Sequence, residues 1–522
     1  MEITVTQGEW AKAAGEILVL GLCQNATMPQ EVAAVDRAIG GKIQGAIDAG
    51  GFSGKWRETF PFYTENEVAC RRVLLIGLGK QAEFTRDRLR QAASTAARQV
   101  RESGAAKCVL PIGWGEVNGI STADAAQTMV EGLLLGLYRL ELYKTDREAD
   151  KFRACMLRVS KAADHAAAVA GVRRGEIVAA ATTYVRDLCN SPANVVTPTY
   201  LAEEATRIAA EHRLQVEVLE RTDMVRLGMG GLVGVAQGAA TPPKLITLSY
   251  RGSHGPPVAL VGKSITFDSG GISLKPADDM DRMKYDMTGG ATVLATVRAA
   301  AQLEIPIPLI GILPATDNMP AGNALHPGDV LTTLSGKTVE VVTTDAEGRL
   351  CLADAITYAL RYKPHIVIDL ATLTGACAVA LGHHAAGLFG NNAALIAALQ
   401  TAGETCGERV WPLPLWDDYF SQIKGDFADL KNSGGRPGGA ITAALFLKQF
   451  VGETPWAHLD LAGVAWNTDT TRPDLSKGST GFGVRLLVAY LSNLARASTK
   501  KSKRTAKAVR TFRQDKSSSP LL

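Results

Sequence analysis

From about residue 190 onward, short apolar runs alternate with segments of helical spacing, and this alternation most constrains the fold. Leu245 to Tyr250, Val258 to Val261, Pro308 to Leu313 and Ile366 to Leu370 read as strands. Ala291 to Leu303, Leu350 to Tyr362, Ala393 to Thr401 and Ala440 to Phe450 carry apolar residues at helical intervals. Strands alternating with helices predict an α/β fold, a mainly parallel sheet covered on both faces. Ligands bind beyond the carboxyl ends of such strands. The first part of the chain repeats the pattern on a smaller scale. Ile17 to Leu22, Val73 to Leu78 and Cys108 to Ile112 read as buried strands, with helical spacing over Glu31 to Ala49 and Arg86 to Glu102. Arg153 to Asn190 is rich in Ala and reads as one long helix able to bridge two domains. It ends at Asn190-Ser191-Pro192, because proline disfavours helix at the residue before it.

Composition narrows the function. No apolar run reaches the ~18–20 residues of a membrane span, and Met1-Glu2-Ile3-Thr4 lacks the basic and apolar regions of a secretory signal. The chain is expected to be a soluble, cytoplasmic protein with no membrane partner. Its eight cysteines form no C-x-x-C pair, which argues for buried reduced thiols rather than disulfides or a thiolate zinc site. There is no H-E-x-x-H, and the His383-His384 pair reads as structural or solvent-facing. Gly77-Leu78-Gly79-Lys80 lacks the phosphate-loop frame and reads as a strand-ending turn. The formal charge of +4 belongs to the end of the chain. From Lys500 onward there are eight Lys/Arg and one Asp, or +7, leaving 48 minus 51, or −3, for residues 1–499.

The chemistry concentrates in three segments. Thr344-Asp345-Ala346-Glu347-Gly348-Arg349-Leu350 places two carboxylates and a guanidinium at every second position. As an extended loop it would turn Asp345, Glu347 and Arg349 to one side. Acids that close repel unless a cation lies between them, and the arginine can hold an anion. Gly262 to Pro276 adds Lys263, Asp268 and Lys275 around the adjacent glycines Gly270 and Gly271. Met283 to Gly290 adds Asp286, a lone acid among apolar residues, costly to bury without a cation. Four carboxylates suit a two-metal hydrolytic site. A phosphatase of that kind is the alternative hydrolase, although no histidine ligand or glycine-rich phosphate cradle accompanies the cluster.

These segments closely resemble the leucine aminopeptidase (cytosol aminopeptidase) family of dinuclear metallopeptidases. The resemblance spans roughly Arg186 to Leu487. Besides the three segments it includes Asn318-Met319-Pro320-Ala321-Gly322-Asn323, Pro327-Gly328-Asp329-Val330, Asp369 to Ala376, His458 to Gly463 and Lys477 to Gly481. It implies two divalent metal ions per subunit, Mn²⁺ or Zn²⁺, with Asp268 and Glu347 bridging them. Lys263 and Asp286 would complete one site and Asp345 the other. Lys275 would polarise the scissile carbonyl, and Arg349 would hold a bicarbonate ion that acts as general base on the water. The implied activity is removal of a Leu-like N-terminal residue, with broad preference, from peptides with a free N-terminus. Met283, Thr372, Leu373 and Ala462 match positions lining the first-residue pocket.

The family also implies a homo-hexamer. The expected organisation is an N-terminal α/β domain over 1–155, a linker helix over 156–190, a catalytic domain over 191–497 and a basic tail over 498–522. Some family members also bind DNA, so the tail makes nucleic acid a candidate partner through phosphate contacts. It has one aromatic, Phe512, and no folded reader motif. Two positions depart from the family pattern: Thr343 stands where Asn is usual, and Ser264 where Gly is usual.

Overall fold

The computed structural model describes residues 1–146, 149–253 and 255–498. Beyond Ser498, the basic tail expected over 498–522 lies outside the described residues. The chain forms two compact units. Met1–Asn190, Thr405–Gly407 and Trp466–Gly481 make the smaller one; Ser191–Glu404, Glu408–Ala465 and the described residues from Phe482 to Ser498 make the larger.

The smaller unit is built on β1 (Glu2–Gln7), β2 (Ile17–Cys23), β3 (Thr59–Tyr63), β4 (Arg72–Gly79), β5 (Lys107–Pro111) and β6 (Ala154–Val159), in the order β1-β6-β5-β2-β4-β3. Only the edge pair β3–β4 is antiparallel. Both faces of the sheet are covered, which is why β2 and β4 are unbroken apolar runs. Ile17 and Val19 face helices Arg86–Glu102 and Thr122–Leu137, while Leu18, Leu20 and Leu22 face helices Gln30–Ala38 and Lys42–Asp48.

Two sequence readings are corrected here. The helical stretch expected over Glu31 to Ala49 divides at Gly40 and Gly41, whose positive φ of 68° and 79° breaks the helix. The long helix expected from Arg153, and with it the linker helix over 156–190, starts only at His165. Ala154–Val159 is instead strand β6, with Cys155, Leu157 and Val159 buried in alternation. That period of two was hidden by the alanine-rich sequence after it. Ala168 and Val172 of the helix pack into the core of the smaller unit.

The larger unit carries a nine-stranded mixed sheet. Its strands are β7 (Gln215–Leu219), β8 (Lys244–Tyr250), β9 (Val258–Gly262), β10 (Ser264–Asp268), β11 (Leu309–Asn318), β14 (Ile366–Ala371), β15 (Ala386–Gly390), β16 (Val410–Pro412) and β18 (Trp456–Asp460). A small second sheet joins β12 (Val330–Thr332), β13 (Thr338–Glu340) and β17 (Leu430–Lys431). The central pairs β18–β14, β14–β9 and β9–β11 are parallel, and β10 pairs parallel with β11. This confirms the α/β reading and sets several carboxyl ends side by side. Across β14–β18, Asp369 pairs in register with His458. The Asp369 carboxylate lies 2.6 Å from His458 Nδ1 and accepts a 2.6 Å hydrogen bond from Trp456 Nε1, all three fully buried. No helix among the described residues is long and apolar enough to cross a membrane. All eight cysteines are free and seven are buried.

Candidate metal centre

The sequence-predicted acids and lysines meet at the carboxyl edge of the larger sheet. Lys263 follows β9, and its backbone N–H donates to Leu370 O on β14 at 2.9 Å. Asp268 ends β10. Asp286 precedes helix Thr288–Gln302, and Glu347 sits at the N-cap of helix Gly348–Ala359. Asp268, Asp286 and Glu347 are all buried, and each offers a carboxylate oxygen within 4.8 Å of the others.

Two ammonium groups thread this cluster. Lys263 Nζ lies 2.7 Å from Asp286 Oδ2 and 2.8 Å from Glu347 Oε1, and it donates to Thr372 O at 3.1 Å. Those two buried carboxylate oxygens rest on the Lys263 ammonium and have no other polar partner. Lys275 Nζ lies 2.8 Å from Asp268 Oδ2 and also pairs with Asp345 Oδ1. Gly348 is required by this packing: a Cβ there would come 2.5 Å from Lys263 Cε.

Four carboxylates stand against two ammonium groups, so negative charge is in excess. Burial pushes Asp286 up to about 8, with Asp268 and Glu347 adding to the shift against Lys263. Burial and Asp268 raise Glu347, and burial raises Asp345 against the pull of Lys275. Burial alone would depress both lysines, but the surrounding carboxylates outweigh it and hold them well above their ordinary range. Such an excess is what a divalent cation relieves, and hard oxygen donors suit one. The residues therefore fit a metal centre.

The extended-loop reading of residues 344–350 is corrected. Thr344–Ala346 forms a 3-10 turn, and Gly348 begins an α-helix. Asp345 and Glu347 still reach the same cluster, Asp345 through Lys275 and Glu347 through Lys263. Arg349 makes no ion pair with these acids: its Nη1 donates to Asn432 O at 2.8 Å, and its buried Nε has no partner. Burial lowers it to about 10 against the pull of Glu347 and Asp460. A buried cation with a spare donor suits a small anion.

Three residues that hold the site carried no assigned role in the sequence reading. Asn432, fully buried after β17, accepts from Val342 N at 2.7 Å and donates to Thr343 O at 2.7 Å, fastening the acidic turn. Asn318, at the end of β11, donates to Asp268 Oδ1 at 2.8 Å and to Thr344 O at 3.0 Å. Asp460, at the end of β18, accepts from Leu373 N at 3.2 Å, Ala462 N at 3.1 Å and Thr374 Oγ1 at 2.6 Å. Asn318 and Asp460 lie inside quoted motifs, but no local pattern announces Asn432, which acts from some 90 residues away.

The pocket candidates sit close by. Thr372 Oγ1 donates to Asp286 Oδ1 at 2.6 Å, and Met283 lies in the 3-10 segment Met280–Tyr285 just before that acid. Leu373 and Ala462 share Asp460. Of the two departures, Ser264 is buried with its hydroxyl on Gly262 O at 2.9 Å, and Gly290 leaves the room it occupies. Thr343 Oγ1 accepts from Asp345 N at 3.3 Å, capping the acidic turn.

Fold and site together define the class: a two-unit α/β protein with an acidic centre, fit for metal, at the edge of its larger sheet. The catalytic-domain profile of the cytosol aminopeptidase family matches residues 183–488, and the N-terminal-domain profile of that family matches residues 19–147. A probable cytosol aminopeptidase of Geobacter sp. (strain M21) is 49% identical over 461 residues, 87% of this chain and 92% of that protein. One from Methylobacillus flagellatus is 44% identical over 95% of this chain and all of its own length. Among solved structures, a tomato leucine aminopeptidase mutant superposes with a TM-score of 0.84 at 32% identity, covering 94% of this chain and 96% of that one. The bottromycin maturation enzyme BotP in complex with Mn superposes at 0.81 with 34% identity, covering 92% of this chain and 100% of that one. The chain belongs to the cytosol aminopeptidase family, and it is a metal-dependent aminopeptidase that acts on peptides.

Proposed function

We propose that this enzyme removes Leu-like N-terminal residues, with broad preference, from peptides at a centre of two divalent ions, Mn²⁺ or Zn²⁺. The observation that carries this reading is the buried set Asp268, Asp286 and Glu347, whose oxygens converge within 4.8 Å beside two lysines. Asp268 and Glu347 would be shared by both ions, Lys263 and Asp286 would hold one, and Asp345 the other. When bound, the ions supply Lewis acidity and a water of lowered pKa, and bicarbonate at Arg349 supplies a proton acceptor.

The chain's own groups do the rest. Lys263 must give up its proton to serve as a ligand, and its burial favours the neutral form once a cation outweighs the carboxylates. Lys275, at the open side of the cluster, keeps its charge and stabilises the negative charge that develops on the scissile carbonyl oxygen. The unpartnered Nε of Arg349 orients the small anion. Met283, Thr372, Leu373 and Ala462 shape the wall for the first side chain. The homo-hexamer comes from the family resemblance, the cytoplasmic location agrees with the names of the cytosol aminopeptidase relatives, and the basic tail keeps nucleic acid as a candidate partner.

The test is hydrolysis of leucyl- and methionyl-amides beside a phosphoester, before and after chelation and after Mn²⁺ or Zn²⁺ is restored. Amide hydrolysis should vanish on chelation and return with metal. Release from the phosphoester alone would refute the reading.

A further inference from the structure

The smaller unit holds a cavity of about 220 Å³ at the carboxyl edge of its own sheet. Gly21 and Cys23 of β2, Leu78 of β4 and Trp114 just past β5 line it. β2 lies between β4 on one side and β5 on the other, so the cavity sits where the chain order reverses across the sheet. Open parallel sheets bind ligands at that place. The size is below the roughly 300–1,000 Å³ of pockets for drug-sized molecules, which points to something smaller.

Trp10 and Trp114 close the cavity. They are 6% and 2% exposed, and neither indole N–H has a hydrogen-bond partner. An indole N–H can only donate, and a buried donor without an acceptor is disfavoured. Glycines seat both rings against the backbone. A Cβ on Gly21 would come 2.8 Å from the Trp114 ring, and one on Gly113 would come 3.0 Å from the Trp10 ring.

The polar wall has two characters. Thr27, Gln81 and the first turn of helix Gln30–Ala38 contribute donors, and no side chain caps that helix start. Glu31, half-buried in the same turn, is the single charged residue among the described lining residues. With no lysine or arginine there, a phosphate finds no counter-charge.

We propose that this cavity binds a free α-amino acid. Its carboxylate takes the indole N–H groups and the uncapped helix start, a ready anion site. Its ammonium group pairs with Glu31, and a small aliphatic side chain lies against Val32 and Leu78. The binding claim stands on the cavity alone, although a free amino acid is also what an aminopeptidase releases.

The test is equilibrium dialysis of radiolabelled L-leucine against the full-length chain carrying Glu347→Ala, which disables the other site. One saturable site per chain is expected. Trp114→Phe, which keeps a ring and removes the donor, and Glu31→Gln, at the rim where folding is not at risk, should each weaken binding about tenfold. N-acetyl-L-leucine, without the ammonium, and L-leucinamide, without the carboxylate, should each bind about tenfold more weakly than leucine. No saturable binding at millimolar leucine overturns the proposal. So does full affinity in either variant, or either analogue binding as tightly as leucine.

Discussion

Each unit ends its parallel strands at an edge of the same design, yet the two edges are furnished in opposite ways. The edge of the larger unit gathers four carboxylates and two lysines, three of the acids buried. The edge of the smaller unit holds two tryptophans and one acid. The sheet supplies only converging backbone ends; the residues placed on them decide whether the edge needs a cation. Buried like charges need compensation from outside the chain, whereas an unpaired indole asks only for an acceptor.

The sharpest break of this comparison is to remove an acid proposed to be shared by both ions. Asp268→Ala or Glu347→Ala should abolish peptide hydrolysis and lower bound metal, measured by turnover and elemental analysis of dialysed protein. Near-normal turnover in either variant would show that the acidic edge is structural. Lys275→Ala comes next. It should lower kcat by about 10²–10³-fold, the scale of one lost electrostatic stabiliser, with metal content changed far less. A parallel fall in metal content would make Lys275 a partner of the acids alone.

Asn432→Ala tests whether geometry matters beside charge. It leaves the part-buried Val342 N without its acceptor and Thr343 O without its donor, and should destabilise the protein by on the order of 1–2 kcal/mol, read from urea unfolding. A rate loss of about ten- to a hundredfold should accompany it as the acidic turn shifts. Unchanged kinetics in a destabilised variant would confine Asn432 to folding.

The smallest effect is a pH slope. His458 is fully buried; burial lowers its pKa, but Asp369 and Asp460 raise it above the ordinary value despite Arg349. A raised folded pKa gives stability that is fully present below the unfolded value of about 6.5 and is lost as pH rises through the folded value. Unfolding free energy should therefore decline across that window, and His458→Gln should flatten the decline. An identical slope in the variant would assign it to other groups.

Much of this was legible in the sequence because the strands of the larger unit are short apolar runs and Lys263 and Asp268 lie at strand ends. Asp286 stood out for another reason, as a lone acid among apolar residues just before a helix. The conformation of residues 344–350 was not legible. Alternating charges suggested extended chain, but the turn at Thr344–Ala346 and the helix from Gly348 are set by Thr343, Asn432 and the side chain of Lys263. β6 was missed because a period of two spanning six residues is a weak signal before a helix of 26. The supports Asn432 and Asp460 act across long sequence separations, where local pattern carries no information.

Asp460 has a consequence for anyone redesigning substrate choice. One carboxylate holds the backbone of Leu373 on one strand end and of Ala462 on another. If Leu373 and Ala462 line the first-residue pocket as proposed, the two walls share a single anchor, and a bulky change at one displaces the other. Libraries that vary them one at a time will misjudge the pair, because their effects will not sum.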